Sequence, residues 1–157
     1  MYETLEYDRA VTLIRQFFQY KKGFIEVPTQ SRLSILAACE DPATISQFVF
    51  DGINYPLPQT GQMWLEYELL KNPEFKGVYC ISTSYRNEPN PIKGRHQKIF
   101  PMFEFESHGT LDDMILLEAE LLQHLGFQKP KTLFYEDACN WYNTEIIESK
   151  HEEEILI

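Results

Sequence analysis

The sequence predicts an α+β fold, a mixed, mainly antiparallel sheet flanked by helices that pack on one side. The first observation behind this prediction is a hairpin pattern over residues 78–106, where two strands enclose a long polar loop. The second strand of this hairpin alternates in side-chain type through Met102, Phe103, Glu104, Phe105 and Glu106. The second observation is that amphipathic helix patterns precede and follow the hairpin, so helices are expected to cover the sheet.

The chain has 157 residues, the length of one domain, and we expect residues 1–157 to form a single domain. An apolar fraction of 43% and an aromatic fraction of 14% are typical of a globular protein. The sequence has no apolar run of about 18 residues and no apolar signal-peptide segment at its acidic N-terminus. These features predict a cytoplasmic protein without membrane association. The three widely spaced cysteines fit buried free thiols better than disulfides or a zinc site.

Because the net charge is −10, the chain as a whole is not attracted electrostatically to a nucleic-acid backbone. Binding to phosphate would therefore need a local basic patch. One candidate patch lies inside the hairpin loop and consists of Lys93, Arg95, His96 and Lys98. Four cations suit one triphosphate or the acceptor end of a nucleic acid, and they are too few for a long duplex.

The first predicted element is an amphipathic helix over residues 4–22, ended by Gly23. A short strand follows at residues 24–27 and ends at Pro28. The apolar face of the helix is broad for a single helix. We therefore expect part of residues 4–28 to form an interface between copies of the chain.

A second, smaller hairpin is predicted from Phe48 to Leu57, with Asp51-Gly52 as its turn. Thr60 is then expected to cap a helix that runs to Asn72-Pro73. Gln59 and Gln62 lie at the start of this helix, where amide groups can hold a carboxylate or amide ligand. Helix capping alone would explain the same residues.

Helical signals return after the long hairpin. Thr110 is expected to cap a helix with Asp112 and Asp113 in its first turn, and Gly126 is expected to end it. A short strand at 132–135 and a helix at 136–143 complete the predicted elements.

The loop of the long hairpin concentrates groups that suit a nucleotide triphosphate. Guanidinium forks and an imidazole can bind phosphate, a carboxylate can accept from an exocyclic amine, and a phenyl ring can stack on a base. The residues with these groups are Arg86, Glu88, Arg95, His96 and Phe100. The alternative interpretation is an ordinary exposed loop with scattered charges.

These residues resemble a known motif. The segment Tyr85-Arg86-Asn87-Glu88, followed by Arg95-His96, Phe100, Met102, Glu104 and Glu106, resembles motif 2 of class II aminoacyl-tRNA synthetases. The likeness is to the aspartyl/asparaginyl/lysyl branch and is greatest to the asparaginyl type. Residues 1–28 resemble motif 1, a dimer-forming helix and strand, through Gly23-Phe24-x-Glu26-Val27-Pro28. The stretch from Thr60 to Glu66 resembles the amino-acid pocket of that branch.

The resemblance implies a role for each matching residue in ATP binding. Arg86 would bind the α-phosphate and act as the catalytic residue, and Glu88 would bind the adenine amino group. Arg95 and His96 would bind the outer phosphates, and Phe100 would stack on adenine.

For the amino acid, the resemblance implies that Glu40 binds the α-ammonium group and that Gln62 and Glu66 line the side-chain pocket. Leu65 stands where the aspartyl enzymes have a lysine, and this difference argues against aspartate. Mg²⁺ is implied as a cofactor beside ATP, with its ligands in the second half of the family's catalytic domain. No part of the sequence resembles motif 3 or the anticodon-binding barrel of the family. We therefore expect residues 1–157 to be the N-terminal half of the catalytic domain.

The function implied is ATP-dependent activation of an amino acid related to asparagine or aspartate, with formation of an aminoacyl-adenylate. The amino acid and ATP are the expected ligands, a homodimer through residues 4–28 is the expected assembly, and tRNA stays open as the acceptor. Two alternatives remain. One is an asparagine-synthetase-like paralogue that passes the activated carboxylate to ammonia. The other is a truncated, catalytically silent paralogue that binds ATP or a synthetase partner.

Overall fold

The structure is a computed structural model that describes residues 3–28, 42–94, 96–128 and 133–142. Its helices are α1 (Thr4–Arg15), α2 (Gln62–Lys71), α3 (Leu111–Leu125) and α4 (Tyr135–Tyr142), with a π-helical segment at Gln16–Lys22 and a 3₁₀ turn at Pro42–Thr44. Its strands are β1 (Ile25–Glu26), β2 (Gln47–Phe50), β3 (Ile53–Pro56), β4 (Gly77–Tyr85) and β5 (Ile99–Ser107). This combination of helices with a mixed sheet confirms the predicted α+β class.

The chain divides into two compact units, one within residues 18–108 and the other formed by residues 1–17 with residues 109–157. The expectation of a single domain over residues 1–157 stays a prediction. None of the helices in the described ranges is both long and apolar enough to cross a membrane.

A three-stranded sheet in the order β1-β4-β5 forms the centre of the 18–108 unit. β1 runs parallel to β4, with Ile25 opposite Val78. β4 and β5 are antiparallel over their full length, from Gly77 opposite Ser107 to Tyr85 opposite Ile99. This ladder is the hairpin that the alternating sequence predicts. Because side chains alternate across a strand, the ladder presents two faces of different character.

One face of the ladder is aromatic. Phe18, at 0% exposure, comes from the π-helical segment and packs on this face. Its ring centroid lies 4.6 Å from that of Phe103, 5.0 Å from that of Phe105 and 5.8 Å from that of Tyr79. The tilted geometry of these pairs is the arrangement that ring quadrupoles favour. The Phe18 carbonyl also accepts the Phe24 N–H at 2.8 Å, which ties the end of the helical segment to β1.

The opposite face of the ladder packs against α2. Here the buried cluster consists of Val27, Leu65, Leu69, Val78 and Cys80. Burial, with smaller contributions from the charges of Glu104 and Glu26, raises the pKa of the Cys80 thiol to about 12. The thiol is therefore neutral at physiological pH. Helical residues thus contact both faces of this sheet, where the sequence predicted helices on one side.

The predicted N-terminal helix exists but changes character along its length. It is α-helical from Thr4 to Arg15 and π-helical from Gln16 to Lys22. Gly23 ends it at φ +74°, a left-handed conformation that glycine adopts without a steric cost.

The small β2–β3 hairpin also follows its sequence signal. Asp51 and Gly52 both have positive φ, 52° and 73°, as a two-residue type I′ turn requires. The start of α2 differs from the prediction, because its N-cap residue is Gly61 and not Thr60. The Thr60 hydroxyl still accepts the Gln62 N–H at 3.1 Å, from the position directly before the observed N-cap.

The second unit contains α1, α3 and α4. α3 begins at a complete capping box between Thr110 and Asp113 and ends at Gly126, where φ is +96°. The His124 side chain contacts α1, with Nε2 3.0 Å from the Leu13 carbonyl oxygen. The prediction of a strand at 132–135 is wrong for residues 133–135, which the structure describes. The Phe134 carbonyl instead accepts the Ala138 N–H at 2.9 Å and so takes part in α4.

Gly77 gives a test of the aromatic packing. A Cβ at this position would lie 2.5 Å from the nearest atom of the Phe24 ring. We expect Gly77→Ala to lower the free energy of unfolding by about 1–3 kcal/mol, because the buried ring has to move. Urea unfolding measures the change. In a Phe24→Leu background the same substitution should cost clearly less, and an equal cost in both backgrounds would contradict the packing described here.

The capping box of α3 predicts a pH dependence. The Asp113 carboxylate accepts the Thr110 N–H and the Thr110 hydroxyl, each at 2.8 Å, and these bonds lower the pKa of Asp113. A lowered pKa in the folded state adds stability above the unfolded value of about 3.9, and this stability is lost as the pH falls through the folded value. Asp113→Asn should therefore destabilise the protein at pH 7, and the difference from wild type should shrink below about pH 4.

Urea midpoints between pH 7 and pH 2.5 would measure this effect. Asp112→Asn is the matched control, because it removes the same charge from the same turn outside the capping box. A destabilisation by Asp113→Asn that does not change with pH, or that Asp112→Asn reproduces, would contradict the prediction.

Candidate functional site

The site is built on the polar face of the β4–β5 ladder. Ser82 and Ser84 lie on this face of β4, and Arg86 follows two residues after Ser84. On β5, Phe100 pairs with Ser84 and Met102 pairs with Ser82. The strand period therefore brings Arg86 and Phe100, both predicted site residues, to the same end of the same face.

Arg86 is held by its backbone and by its side chain. Its N–H donates to the Lys98 carbonyl at 2.8 Å, which closes the long loop. Its Nε lies 3.3 Å from the Ser84 Oγ, and the guanidinium carbon lies 5.6 Å from the centroid of the Phe100 ring. The Arg86 side chain is exposed and Phe100 is half-buried. The guanidinium group is therefore oriented by two neighbours while it stays open to solvent.

The loop tip forms a compact turn around His96. The His96 N–H donates to the Ile92 carbonyl at 2.9 Å, and the His96 Nδ1 accepts the Ile92 N–H at 3.3 Å. The other ring nitrogen, Nε2, is therefore the one left to bind a ligand. Glu88 is half-buried beyond the end of β4. Arg95 lies outside the described residues.

The predicted amino-acid pocket is described in part. Gln62 and Glu66 are four residues apart on α2, so they lie on the same side of the helix, and both are exposed. Burial, followed by the charges of Glu66 and Glu104, raises the pKa of Glu106. This effect indicates that Glu66 lies close to the acidic end of β5. Glu40 lies outside the described residues.

Glu104 is a site residue to which the sequence analysis assigned no role. Its carboxylate accepts the Gly61 N–H at 2.7 Å, the Ser82 hydroxyl at 3.2 Å and the Thr60 hydroxyl. These bonds anchor the start of α2 to the sheet. A Cβ at Gly61 would lie 3.1 Å from both Glu104 Oε2 and Cys80 Sγ, which explains the glycine. The available signal for Glu104 was a glutamate that alternates with phenylalanine in a strand, on the face that packs against a helix.

Gln59 is buried, whereas Gln62 is exposed, although the sequence analysis treated both as candidate ligand-binding amides. It is 4% exposed, and its Nε2 donates to the Thr44 Oγ1 at 2.7 Å. Its carbonyl accepts the hydroxyl of Ser84, which is itself 0% exposed, at 2.8 Å. Gln59 therefore supports the site from beneath and does not face a ligand.

Within the described ranges, no group of three or more histidine, cysteine, aspartate or glutamate side chains could hold a metal ion. The Mg²⁺ that the resemblance implies would need only one or two carboxylates beside the ATP phosphates, and it stays a prediction.

Solved structures similar to this chain include two asparaginyl-tRNA synthetases in complex with asparaginyl-adenylate. The Pyrococcus horikoshii protein shares 24% sequence identity over 73% of this chain, with a TM-score of 0.62. The Entamoeba histolytica protein shares 15% identity over 91% of this chain, with a TM-score of 0.60. No protein-family model and no curated protein matches the sequence.

This chain covers 25% of the Pyrococcus horikoshii chain and 38% of the Entamoeba histolytica chain, so it spans well under half of either relative. At these identities the likeness concerns the fold. The chain therefore has a fold similar to that of part of these two asparaginyl-tRNA synthetases.

Proposed function

We propose that this chain binds ATP on the polar face of the β4–β5 hairpin and contributes to the activation of an amino acid. Asparagine is the proposed amino acid. The observation that carries this proposal is the placement of Arg86. Its guanidinium group is exposed, and it is oriented by Ser84 and by the ring of Phe100. The asparaginyl-adenylate bound to the two structural neighbours supports the same chemistry.

In the proposed reaction, a carboxylate oxygen of the amino acid attacks the α-phosphorus of ATP. A new P–O bond forms, the bond to the bridging oxygen breaks, and pyrophosphate leaves. Arg86 stabilises the negative charge that develops on the α-phosphate oxygens. No side chain acts as a nucleophile, so catalysis consists of positioning and electrostatic stabilisation.

The remaining loop residues complete the proposed grip on ATP. Phe100 stacks on adenine, and Glu88 accepts a hydrogen bond from the adenine amino group. Arg95 and His96 bind the outer phosphates. His96 does so through Nε2, since its Nδ1 already accepts the Ile92 N–H. Mg²⁺ is proposed as the cofactor beside ATP, where it would neutralise charge on the phosphate oxygens.

Electrostatics favour asparagine over aspartate as the amino acid. Gln62 and Glu66 line the proposed pocket, and burial, followed by the negative charges of Glu66 and Glu104, raises the pKa of the nearby Glu106. A second carboxylate would be repelled there, whereas a side-chain amide can donate a hydrogen bond to the exposed carboxylate of Glu66. Glu40 is proposed to bind the α-ammonium group. Leu65 has no charge and is fully buried in the core, at 0% exposure. This position therefore offers no cation to bind a second carboxylate of aspartate.

Assembly, acceptor and location are part of the same proposal. α1 has no buried residue, and Leu5 is 83% exposed, which supports a homodimer through residues 4–28. The transfer of the activated amino acid to tRNA, and a cytoplasmic location, are proposed from the likeness to synthetases.

Pyrophosphate exchange tests the proposed activity. We expect the chain to incorporate labelled pyrophosphate into ATP with asparagine and not with aspartate, because only adenylate formation is reversible in this way. Exchange with any amino acid would exclude the catalytically silent alternative. Exchange with aspartate and consumption of the adenylate by ammonia would favour the asparagine-synthetase-like alternative. ATP binding without exchange would restrict the proposal to nucleotide binding.

Arg86→Ala tests the proposed ATP-binding site itself. We expect the affinity for ATP to fall at least tenfold, because the charged hydrogen bonds to the α-phosphate are lost. Isothermal titration calorimetry on the purified chain measures the change. Lys71→Ala is the control, since it removes an exposed cation at the far end of α2. An unchanged affinity in Arg86→Ala would show that the assignment of this hairpin to ATP is wrong.

A further inference from the structure

We propose that Ser84 is a positioning residue that orients the Arg86 guanidinium group toward the α-phosphate, an inference that rests on the proposed function. Ser84 touches no ligand in this arrangement, because its side chain is fully buried beneath the site. It acts through Arg86 alone.

The hydroxyl of Ser84 has a fixed direction. A serine hydroxyl has one hydrogen to donate, and in Ser84 this hydrogen goes to the Gln59 carbonyl at 2.8 Å. The oxygen lone pairs are then left to accept, and the Arg86 Nε lies 3.3 Å away. Because burial excludes water from the hydroxyl, the choice of donor and acceptor is set by the protein.

The backbone around Arg86 is held at three consecutive amides. The Tyr85 N–H donates to the Pro58 carbonyl at 2.9 Å, the Arg86 N–H to the Lys98 carbonyl at 2.8 Å and the Asn87 N–H to the Thr44 carbonyl at 2.8 Å. The Gln59 side chain then joins two of these supporting segments through its bond to Thr44. The base of the arginine is therefore rigid, and the remaining freedom lies in its side chain.

Ser84 and Phe100 restrict that side-chain freedom in complementary ways. The ring of Phe100 lies 5.6 Å from the guanidinium carbon and limits its tilt, while Ser84 binds Nε at the inner edge of the group. The two terminal nitrogens of the guanidinium point away from Nε. With Nε bound to Ser84, these terminal nitrogens form the fork that meets a phosphate oxygen pair. An arginine held in this way loses less side-chain entropy when it binds phosphate.

Ser84→Ala tests the proposal on the purified chain, with ATP, AMP and adenosine as calorimetric probes. We expect the affinities for ATP and AMP to fall about tenfold. The affinity for adenosine should not change, because adenosine has no phosphate. Ser84→Cys replaces the hydroxyl by a somewhat larger thiol that accepts hydrogen bonds more weakly, so its ATP affinity should lie between those of wild type and Ser84→Ala. Thr83→Ala is the control, since Thr83 is exposed on the same strand and faces the other way.

A double-mutant cycle separates positioning from a general effect on folding. If Ser84 acts through Arg86, Ser84→Ala should cause no further loss of ATP affinity in the Arg86→Ala background. An equal loss in both backgrounds, or an equal loss for adenosine and AMP, would overturn the proposal. So would wild-type affinities in both Ser84 variants. A wild-type ATP affinity in Arg86→Ala would instead overturn the proposed function, so the two failures are distinguishable.

Discussion

The antiparallel pairing of β4 with β5 is the constraint on which the rest of the 18–108 unit depends. Nine consecutive residue pairs keep the two strands in one register, so every second side chain is assigned to the same face. The aromatic face packs on Phe18, and the polar face receives α2 and carries the site residues. A single set of backbone hydrogen bonds thus determines both the packing of the core and the placement of the candidate site residues.

The polar face is stabilised by hydrogen bonds that join distant parts of the chain. The Glu104 carboxylate binds the segment before α2, and the buried Ser84 hydroxyl binds the carbonyl of Gln59. Buried polar groups of this kind are costly unless they are satisfied, so each one specifies its neighbour. The result is a candidate site with two ends, one near Arg86 that is proposed to bind the nucleotide and one near Gln62 that is proposed to bind the amino acid, and both ends are anchored to one strand pair.

Local signals in the sequence predicted the elements whose cause is local. The period-two alternation predicted the hairpin, and turn and cap residues predicted the ends of elements at Gly23, Asp51-Gly52, Thr110 and Gly126. The hairpin pattern also predicted that Arg86 and Phe100 lie close together, because a hairpin brings the ends of its strands together. The roles of Glu104, Ser84 and Gln59 could not be predicted in this way. They depend on contacts between distant segments, such as those of Glu104 with Gly61 and of Ser84 with Gln59, and no local pattern encodes such contacts.

The hydrogen bond from the Arg86 N–H to the Lys98 carbonyl has a consequence for how this chain can change in evolution. It closes the loop at its base, so residues can be inserted or deleted between these two positions without moving the strands. A single insertion within β5 would instead send Glu104 to the aromatic face and Phe103 to the polar face. We therefore expect the fold to tolerate changes of length in the loop and not within the two strands that hold it.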